Sequence, residues 1–212
     1  MSGEQITESP KSEYSSPKFE YNTEIVKPSL LLHSCCGPCS TSVVEEMIPS
    51  YDITVYFYNP NITDRAEYEK RLESQKKFID DYNGSSNRKG TIAFIEGAYE
   101  PELFIDEVKG FESGPEGGAR CRKCFYMRLE KTAAAASMGG YDFFTTTLTV
   151  SPHKNYRLIS EAGREICARY RIGFIDRDYK KNNGYLRSLE LSKRYSLYRQ
   201  SYCGCAFSKA EK

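Results

Sequence analysis

"SLLLHSCCGPCSTSVVEEMI", residues 29–48, joins an apolar run to a dense group of thiols and then to a second apolar pattern. The run Leu30–Leu32 has the length of a short buried strand, and "STSVVEEMI" reads as the helix that follows it. Cys35, Cys36 and Cys39 fill the turn between the two. Adjacent cysteines do not readily bridge each other, because a disulfide demands a Cα separation and torsion that a single peptide unit distorts to reach. The thiols of this turn therefore call for a partner elsewhere in the chain.

Outward from this turn the chain alternates strand and helix. "ITVYFYN" reads as a second strand closed by the Asn-Pro-Asn turn at residues 59–61. Asp64 is an N-cap candidate for a helix whose stripe Tyr68, Leu72, Ile79 and Tyr82 ends near Asn83-Gly84. "TIAFIEG" reads as a strand and "EPELFIDEV" as a helix. A glycine-rich link follows, then a helix with Phe125, Leu129, Thr132 and Ala136 on its inner face, stopping at Gly139-Gly140. "DFFTTTLT" is an expected strand, "SPHKN" a turn, and residues 155–170 a helix with Ile159, Ala162 and Ile166 inward. "IGFID" gives a fifth strand and residues 184–195 a last helix. This alternation predicts a doubly wound α/β layer, a parallel sheet with helices on both faces. Ligands gather beyond the carboxyl ends of the strands in such sheets, so the Cys35 turn and the "SPHKN" turn are expected to share one rim.

Composition narrows the function. With 212 residues the default is one domain, residues 29–212, preceded by a polar tail at 1–28 expected to be disordered. No apolar stretch approaches the roughly 20 residues needed to span a bilayer, and the N-terminus lacks a signal-peptide pattern, so a cytoplasmic location with no membrane partner is expected. Eight cysteines in a reducing compartment favour metal or redox chemistry over structural disulfides. Neither G-x-G-x-x-G after a strand nor G-x-x-x-x-G-K-[ST] occurs, which argues against dinucleotide and ordinary nucleotide triphosphate sites.

Cys121 and Cys124 form a C-x-x-C at the start of a helix, where the helix dipole favours thiolates. Added to Cys35 and Cys36 they make four thiolates, enough for tetrahedral zinc or a cubane iron–sulfur cluster, while a lone C-x-x-C is as often a zinc half-site or chance. Cys203-Gly204-Cys205 differs, since a C-x-C disulfide closes a small strained ring and is easily reduced, which suits a pair that cycles. Two further ligands or two buried thiols are the competing readings. Cys39 is a spare ligand or a helix-start neighbour, and Cys167 a core thiol. His33 ends a buried strand and reads as a satisfied core group; His153 and Lys154 stand where they would meet an anionic substrate.

Charge is unevenly placed. Residues 1–152 hold 16 Lys and Arg against 23 Asp and Glu, whereas residues 153–212 hold 14 against 6. That basic third carries seven tyrosines, among them Tyr156, Tyr185, Tyr198 and Tyr202. Phosphate neutralisation and base stacking make a nucleic-acid partner one reading; a solvated basic face over core tyrosines is the other.

"LLHSCCGPC", "FYNPNI", "EYEKRLESQ", "GARCRKCFYMRLEKTA", "FFTTTLTVSPHKN" and "KKNNGYLRSLELSKRYSLYRQSYCGC" together resemble the QueH family of epoxyqueuosine reductases over residues 29–208. The resemblance implies an adenine-nucleotide α-hydrolase-like, HUP-type Rossmann layer. It also implies a cobalamin-independent oxidoreductase that converts epoxyqueuosine to queuosine at the tRNA wobble position, the last step of queuosine synthesis. By the same resemblance Cys35, Cys36, Cys121 and Cys124 would hold a four-iron four-sulfur cluster, and Cys203 and Cys205 would be the redox-active pair. A second iron or other metal is compatible with the family, with Cys39 or the 203/205 pair as its ligands. The expected partners are tRNA carrying epoxyqueuosine and an electron donor. Lys154, Lys180, Lys181, Arg187 and Arg199 are expected along the anticodon-loop backbone, with tyrosines stacking an unpaired base. A zinc-stabilised RNA-binding module and a thiol–disulfide oxidoreductase acting on proteins are the two competing functions.

Overall fold

Leu30, Leu31 and Leu32 are fully buried, and strand alternation sends Leu31 to one face of a sheet and its two neighbours to the other. A strand apolar on both faces has to be covered on both, which is the condition for a central strand of a parallel sheet. The structure, a computed structural model, describes residues 26–209. Its elements run β1 (Ser29–Ser34), α1 (Gly37–Met47), β2 (Asp52–Phe57), α2 (Arg65–Gly84), β3 (Ala93–Glu96), α3 (Pro101–Glu107), α4 (Ala119–Met138) and β4 (Phe143–Thr146). A 3-10 turn (Thr147–Val150) then leads to α5 (Tyr156–Tyr170), β5 (Gly173–Phe174), α6 (Gly184–Arg194) and α7 (Ala206–Lys209).

The five strands stand in the order β3-β2-β1-β4-β5 and every neighbouring pair is parallel. Leu31 and Phe144 pack under Phe125, Leu129 and Ala133 of α4 and Ile159, Ala162 and Ile166 of α5. On the opposite face Leu30, Leu32, Ile53 and Val55 meet Val43, Val44 and Met47 of α1 and Phe78 and Ile79 of α2. Each fully buried leucine contributes about 1.5–3 kcal/mol, so three in succession fix β1 at the centre. The chain leaves β1 on one flank, through β2 and β3, and returns to its other flank as β4. This doubly wound α/β order opens a crevice beyond the carboxyl ends of β1 and β4, and it is compatible with the HUP-type layer.

Several boundaries differ from expectation for local reasons. α1 starts at Gly37 rather than Ser40, because Pro38 presets the first turn and Cys36 takes the N-cap position in extended conformation. Gly37 is required there: a Cβ would stand 2.5 Å from the Ser74 carbonyl oxygen of α2. Cys39 consequently lies inside the helix. β4 ends at Thr146, whose hydroxyl accepts the Leu148 N–H at 3.1 Å and turns "TLTV" into a 3-10 turn instead of more strand. Only Gly173 and Phe174 of "IGFID" pair with β4. Asp64 and Asn155 cap α2 and α5 through side-chain acceptors. Of the tail expected to be disordered, residues 1–25 lie outside the described residues. Lys27 and Pro28 are anchored, donating to the Ile48 carbonyl at 2.8 Å and accepting from the Asp52 N–H at 3.0 Å.

Candidate metal and thiol site

The turn after β1 and the first turn of α1 bring Cys35, Cys36 and Cys39 together, with all three sulfurs within 4.8 Å of one another. Cys35 and Cys36 Sγ are 3.9 Å apart. Metal–thiolate bonds of about 2.3 Å in a tetrahedron set sulfurs about 3.8 Å apart, so this donor set fits a thiolate-bound metal. The Cys35 N–H reaches Thr147 Oγ1 at 3.3 Å, tying the turn to the end of β4. Gln200 donates its side-chain N–H to Cys36 Sγ at 3.1 Å.

Cys121 and Cys124 occupy the first turns of α4, as the C-x-x-C spacing predicts, and the Gly117 N–H donates to Cys121 Sγ at 3.2 Å. These two sulfurs line a narrow cavity of about 20 Å³ with Cys203, Cys205, Lys154 and Phe125. It adjoins a larger one of about 220 Å³, lined by Cys39, Tyr185, Arg199, Gln200 and Tyr202 among others. Glu116, His153, Lys154 and Cys203 line both. Each cysteine group of the sequence thus sends a member to these adjoining cavities, the first through Cys39 alone, since Cys35 and Cys36 line neither. The tightest set is 35/36/39, so Cys39, a spare in the four-ligand count, belongs with its neighbours. Cys167 stands apart on α5, half-buried at the core edge, with its thiol toward the Arg164 carbonyl at 3.1 Å. No disulfide joins any of the eight cysteines.

The loop 202–204 is held by side chains that sequence reading passed over. Arg71, 2% exposed, donates to the Cys203 carbonyl at 3.0 Å and the Tyr202 carbonyl at 3.1 Å, and pairs with Glu67 at 2.7 Å. Glu67 also accepts the Tyr198 hydroxyl at 2.8 Å. Asn61 of the Asn-Pro-Asn turn adds a 3.4 Å bond to the Cys203 carbonyl, and the Thr63 N–H meets the Gly204 carbonyl at 3.3 Å. Gly204 has φ +103° and presses on Arg71, where a Cβ would lie 3.0 Å from Nη1. One signal was available: Glu67, Arg71, Ser74, Gln75 and Phe78 recur at helical spacing, a polar face in register with an apolar one. Gln75 accepts from Ser34 Oγ at 2.6 Å and Ser40 Oγ at 3.0 Å, so the same face braces the Cys35 turn.

His33 is the satisfied core group expected of it. Its ring lies between Thr146 Oγ1 at 2.8 Å and the Tyr58 carbonyl at 3.1 Å, and burial with the nearby Arg128 charge lowers its pKa to about 3. Arg128, buried on α4, donates to Asn59 Oδ1 at 2.5 Å, and Asn59 donates to the Ser34 carbonyl at 2.9 Å. The Asn-Pro-Asn turn is therefore a brace for both thiol loops as well as a strand terminator.

The thiols divide into members of lowered and of raised pKa. Hydrogen bonds from Cys36 and Cys39 hold Cys35 well below the usual thiol range, whereas the same contacts push Cys36 up to about 11 and raise Cys39. The hydrogen bond from Cys205 likewise holds Cys203 low against its burial, with the charges of Lys154, Arg128 and Arg71 adding to it, and raises Cys205. Burial pushes Cys124 up to about 12. Burial opposes the charge on Lys154, and the nearby Cys203, Cys35 and Cys39 outweigh it, raising Lys154 overall. In each of these two loops one thiol is thus the more acidic, Cys35 in the first and Cys203 in the second, and the Lys154 charge favours the ionised form of both.

Among the five basic residues expected at the substrate, Lys154 and Arg199 line the larger cavity. Lys180 pairs with Asp178 at 3.1 Å and lies over the Tyr156 ring, while Arg187 grips Glu45 through two 2.7 Å contacts and Glu190 at 2.9 Å. Neither they nor Lys181 line either cavity. Of the seven tyrosines in the basic third, Tyr185 and Tyr202 reach the cavity; Tyr179 is buried and Tyr195 packs on Phe78. No helix among the described residues is long and apolar enough to cross a membrane.

The sequence profile of the family described as epoxyqueuosine reductase QueH matches residues 30–211. Proteins of that name are similar to the chain over most of its length. The one from Streptococcus pyogenes serotype M1 is 43% identical over 188 residues, covering 89% of this chain and 73% of the relative. That from Staphylococcus epidermidis is 44% identical over 184 residues, covering 86% and 76%. A more distant relative from Thermotoga maritima is 34% identical over 184 residues, covering 87% and 92%. The matched span contains all three cysteine groups, the arginine and asparagine braces and Lys154, and on this likeness the chain belongs to the QueH family of epoxyqueuosine reductases.

Proposed function

We propose that this chain reduces epoxyqueuosine to queuosine in tRNA, using Cys203 and Cys205 as a dithiol beside a thiolate-bound metal centre. The observation that carries the reading is that members of three separate cysteine groups line two adjoining cavities joined at Cys203 and Lys154, Cys39 on the larger and Cys121 and Cys124 on the smaller. Removing the epoxide oxygen takes two electrons and two protons and releases water. With Cys203 as thiolate and Cys205 protonated, the pair supplies both electrons and one proton, and the Lys154 ammonium, reprotonated from solvent, supplies the second: the epoxide becomes an alkene, the oxygen leaves as water, and Cys203 and Cys205 end as a disulfide that an electron donor must reduce.

The residues divide the work. Cys203 lines both cavities and carries the thiolate, while the protonated Cys205 lies beside it as hydrogen-bond donor. Lys154 holds a positive charge next to the site where the departing oxygen develops negative charge. Cys35, Cys36, Cys121 and Cys124 would hold a four-iron four-sulfur cluster, with Cys39 available to a second iron; when bound, the group supplies electrons singly. Cys36 and Cys39 lose their protons on binding metal, which makes loading favour higher pH.

For the nucleic acid, Arg199 and Lys154 at the cavity and Lys180, Lys181 and Arg187 farther along the basic third are assigned to anticodon-loop phosphates. Tyr185 and Tyr202 are assigned to stacking the wobble base. The double substitution Lys180→Glu/Lys181→Glu should weaken tRNA binding at moderate salt and leave the visible absorbance of the metal unchanged. Unaltered affinity would remove these two lysines from the interface. The function itself is tested by incubating anaerobically reconstituted protein and a chemical reductant with tRNA carrying epoxyqueuosine, then analysing nucleosides by mass. Queuosine is the expected product; intact epoxyqueuosine after incubation with metal-loaded, reduced protein would overturn the assignment.

A further inference from the structure

Glu116 is the only carboxylate among the residues lining either cavity, and it lines both. The same two walls carry the cations Lys154 and Arg199 and the thiols Cys39, Cys121 and Cys203, with aromatic and neutral polar residues between them. Among the described residues the Glu116 side chain is exposed and takes no hydrogen bond or ion pair. Other acids near the site are occupied, Glu67 by Arg71 and Tyr198 and Glu107 by Lys123.

The segment that presents Glu116 is built rather than loose. Buried Arg120 donates to the Glu112 carbonyl at 2.6 Å and the Gly114 carbonyl at 2.5 Å. The Gly118 N–H closes a turn on the Pro115 carbonyl at 3.1 Å, and Gly117 at φ +83° sends its N–H to Cys121 Sγ. The residue is thereby fixed at the entrance to the C-x-x-C helix.

An unpaired carboxylate among cations that face a polyanion weakens RNA binding, unless the RNA brings a cation of its own to that point. Epoxyqueuosine does: its cyclopentane epoxide hangs from the base on a methylene joined to a secondary alkylamine, which is protonated at neutral pH as a lysine side chain is. That ammonium sits between base and epoxide. With the base in the larger cavity beside Tyr185 and Tyr202 and the epoxide toward Cys203, the link crosses the junction that Glu116 shares with both cavities. We propose that Glu116 is a specificity-determining residue that accepts the substrate's ammonium group at this junction. The inference rests on the epoxyqueuosine reading above.

The test compares metal-loaded wild type with Glu116→Gln and Glu116→Asp for binding to one tRNA carrying either epoxyqueuosine or plain guanine at the wobble position. Wild type should prefer the modified tRNA. Glu116→Gln should lose about tenfold of that preference, a charge-assisted bond becoming a neutral one, with affinity for the guanine tRNA unchanged or tighter. Glu116→Asp should keep part of the preference, and KM should rise more than kcat falls. A preference intact in Glu116→Gln, or an equal loss of affinity for both tRNAs, overturns the proposal. Conversion by the wild type in the same preparation keeps this outcome separate from failure of the epoxyqueuosine reading.

Discussion

The two thiol loops are fixed by opposite means. Cys35, Cys36 and Cys39 are held locally: a central strand ends, a proline-started helix begins, and the sulfurs come within 4.8 Å of one another by covalent proximity. Cys203 and Cys205 lie in a loop between α6 and α7 whose backbone is gripped by Arg71, a residue 132 positions away in sequence, and by Asn61. The first loop owes its shape to secondary structure and the second to a buried ion pair. The difference suits the roles proposed for the two loops: thiolates that hold a metal need fixed sulfur separations, which a helix start supplies, and a dithiol that opens and closes needs a fixed backbone with freer side chains, which hydrogen bonds to carbonyls leave.

The sharpest way to break this comparison is to remove one thiol from each loop. Cys36→Ser should abolish metal retention after anaerobic reconstitution, read as bound iron and visible absorbance, while Cys203→Ser should keep the metal and lose multiple turnover. Equal metal loss in both would merge the two loops into one ligand set. Arg71→Ala comes next. Leaving Glu67 buried without its partner should cost about 3–5 kcal/mol in denaturant unfolding, and Arg71→Lys should cost less but raise the alkylation rate of Cys203, because an ammonium cannot span two carbonyls. An unchanged alkylation rate in Arg71→Lys would mean that the loop holds itself.

Gln200 joins the two regions, since its segment carries the dithiol and its amide donates to Cys36. Gln200→Leu should retain the metal and make its reduction less favourable by about 1 kcal/mol, measured as a lower midpoint potential. The smallest effect lies away from both loops. Burial acts against the charge of Asp176, but hydrogen bonds from Ser160, Arg164 and Tyr156 outweigh it and hold the carboxyl below its usual range. A depressed folded-state pKa stabilises above the unfolded value and is lost as pH falls through the folded one. The stability gap between wild type and Asp176→Asn should therefore be constant near neutrality and close only below about pH 4; a gap that closes between pH 6 and 8 would contradict the assignment.

How much of this was legible follows the same division. The strand–helix alternation, the inner faces of α4 and α5 and the rim shared by the Cys35 and "SPHKN" turns were readable, because each rests on local periodicity. The C-x-x-C at a helix start was readable for the same reason. Arg71, Glu67 and Gln75 were not singled out, because a polar residue on a helix reads as solvent-facing until the loop it supports is placed. Cys39 was left over because counting ligands says nothing of distance, and the early start of α1 is what turns its sulfur inward. The basic residues divided by partner: Arg187 has Glu45, which only folding brings near, Lys180 has Asp178 two residues before it, and Lys154 has thiols.

Delivery of the two electrons by Cys203 and Cys205 is the step on which the proposed reaction rests. It is tested most directly by a single turnover. Metal-loaded protein, reduced and then freed of excess reductant under anaerobic conditions, is mixed with substoichiometric tRNA carrying epoxyqueuosine, quenched with an alkylating agent and mapped by mass. The account predicts one Cys203–Cys205 disulfide for each queuosine formed. Full conversion with both cysteines alkylated would contradict it.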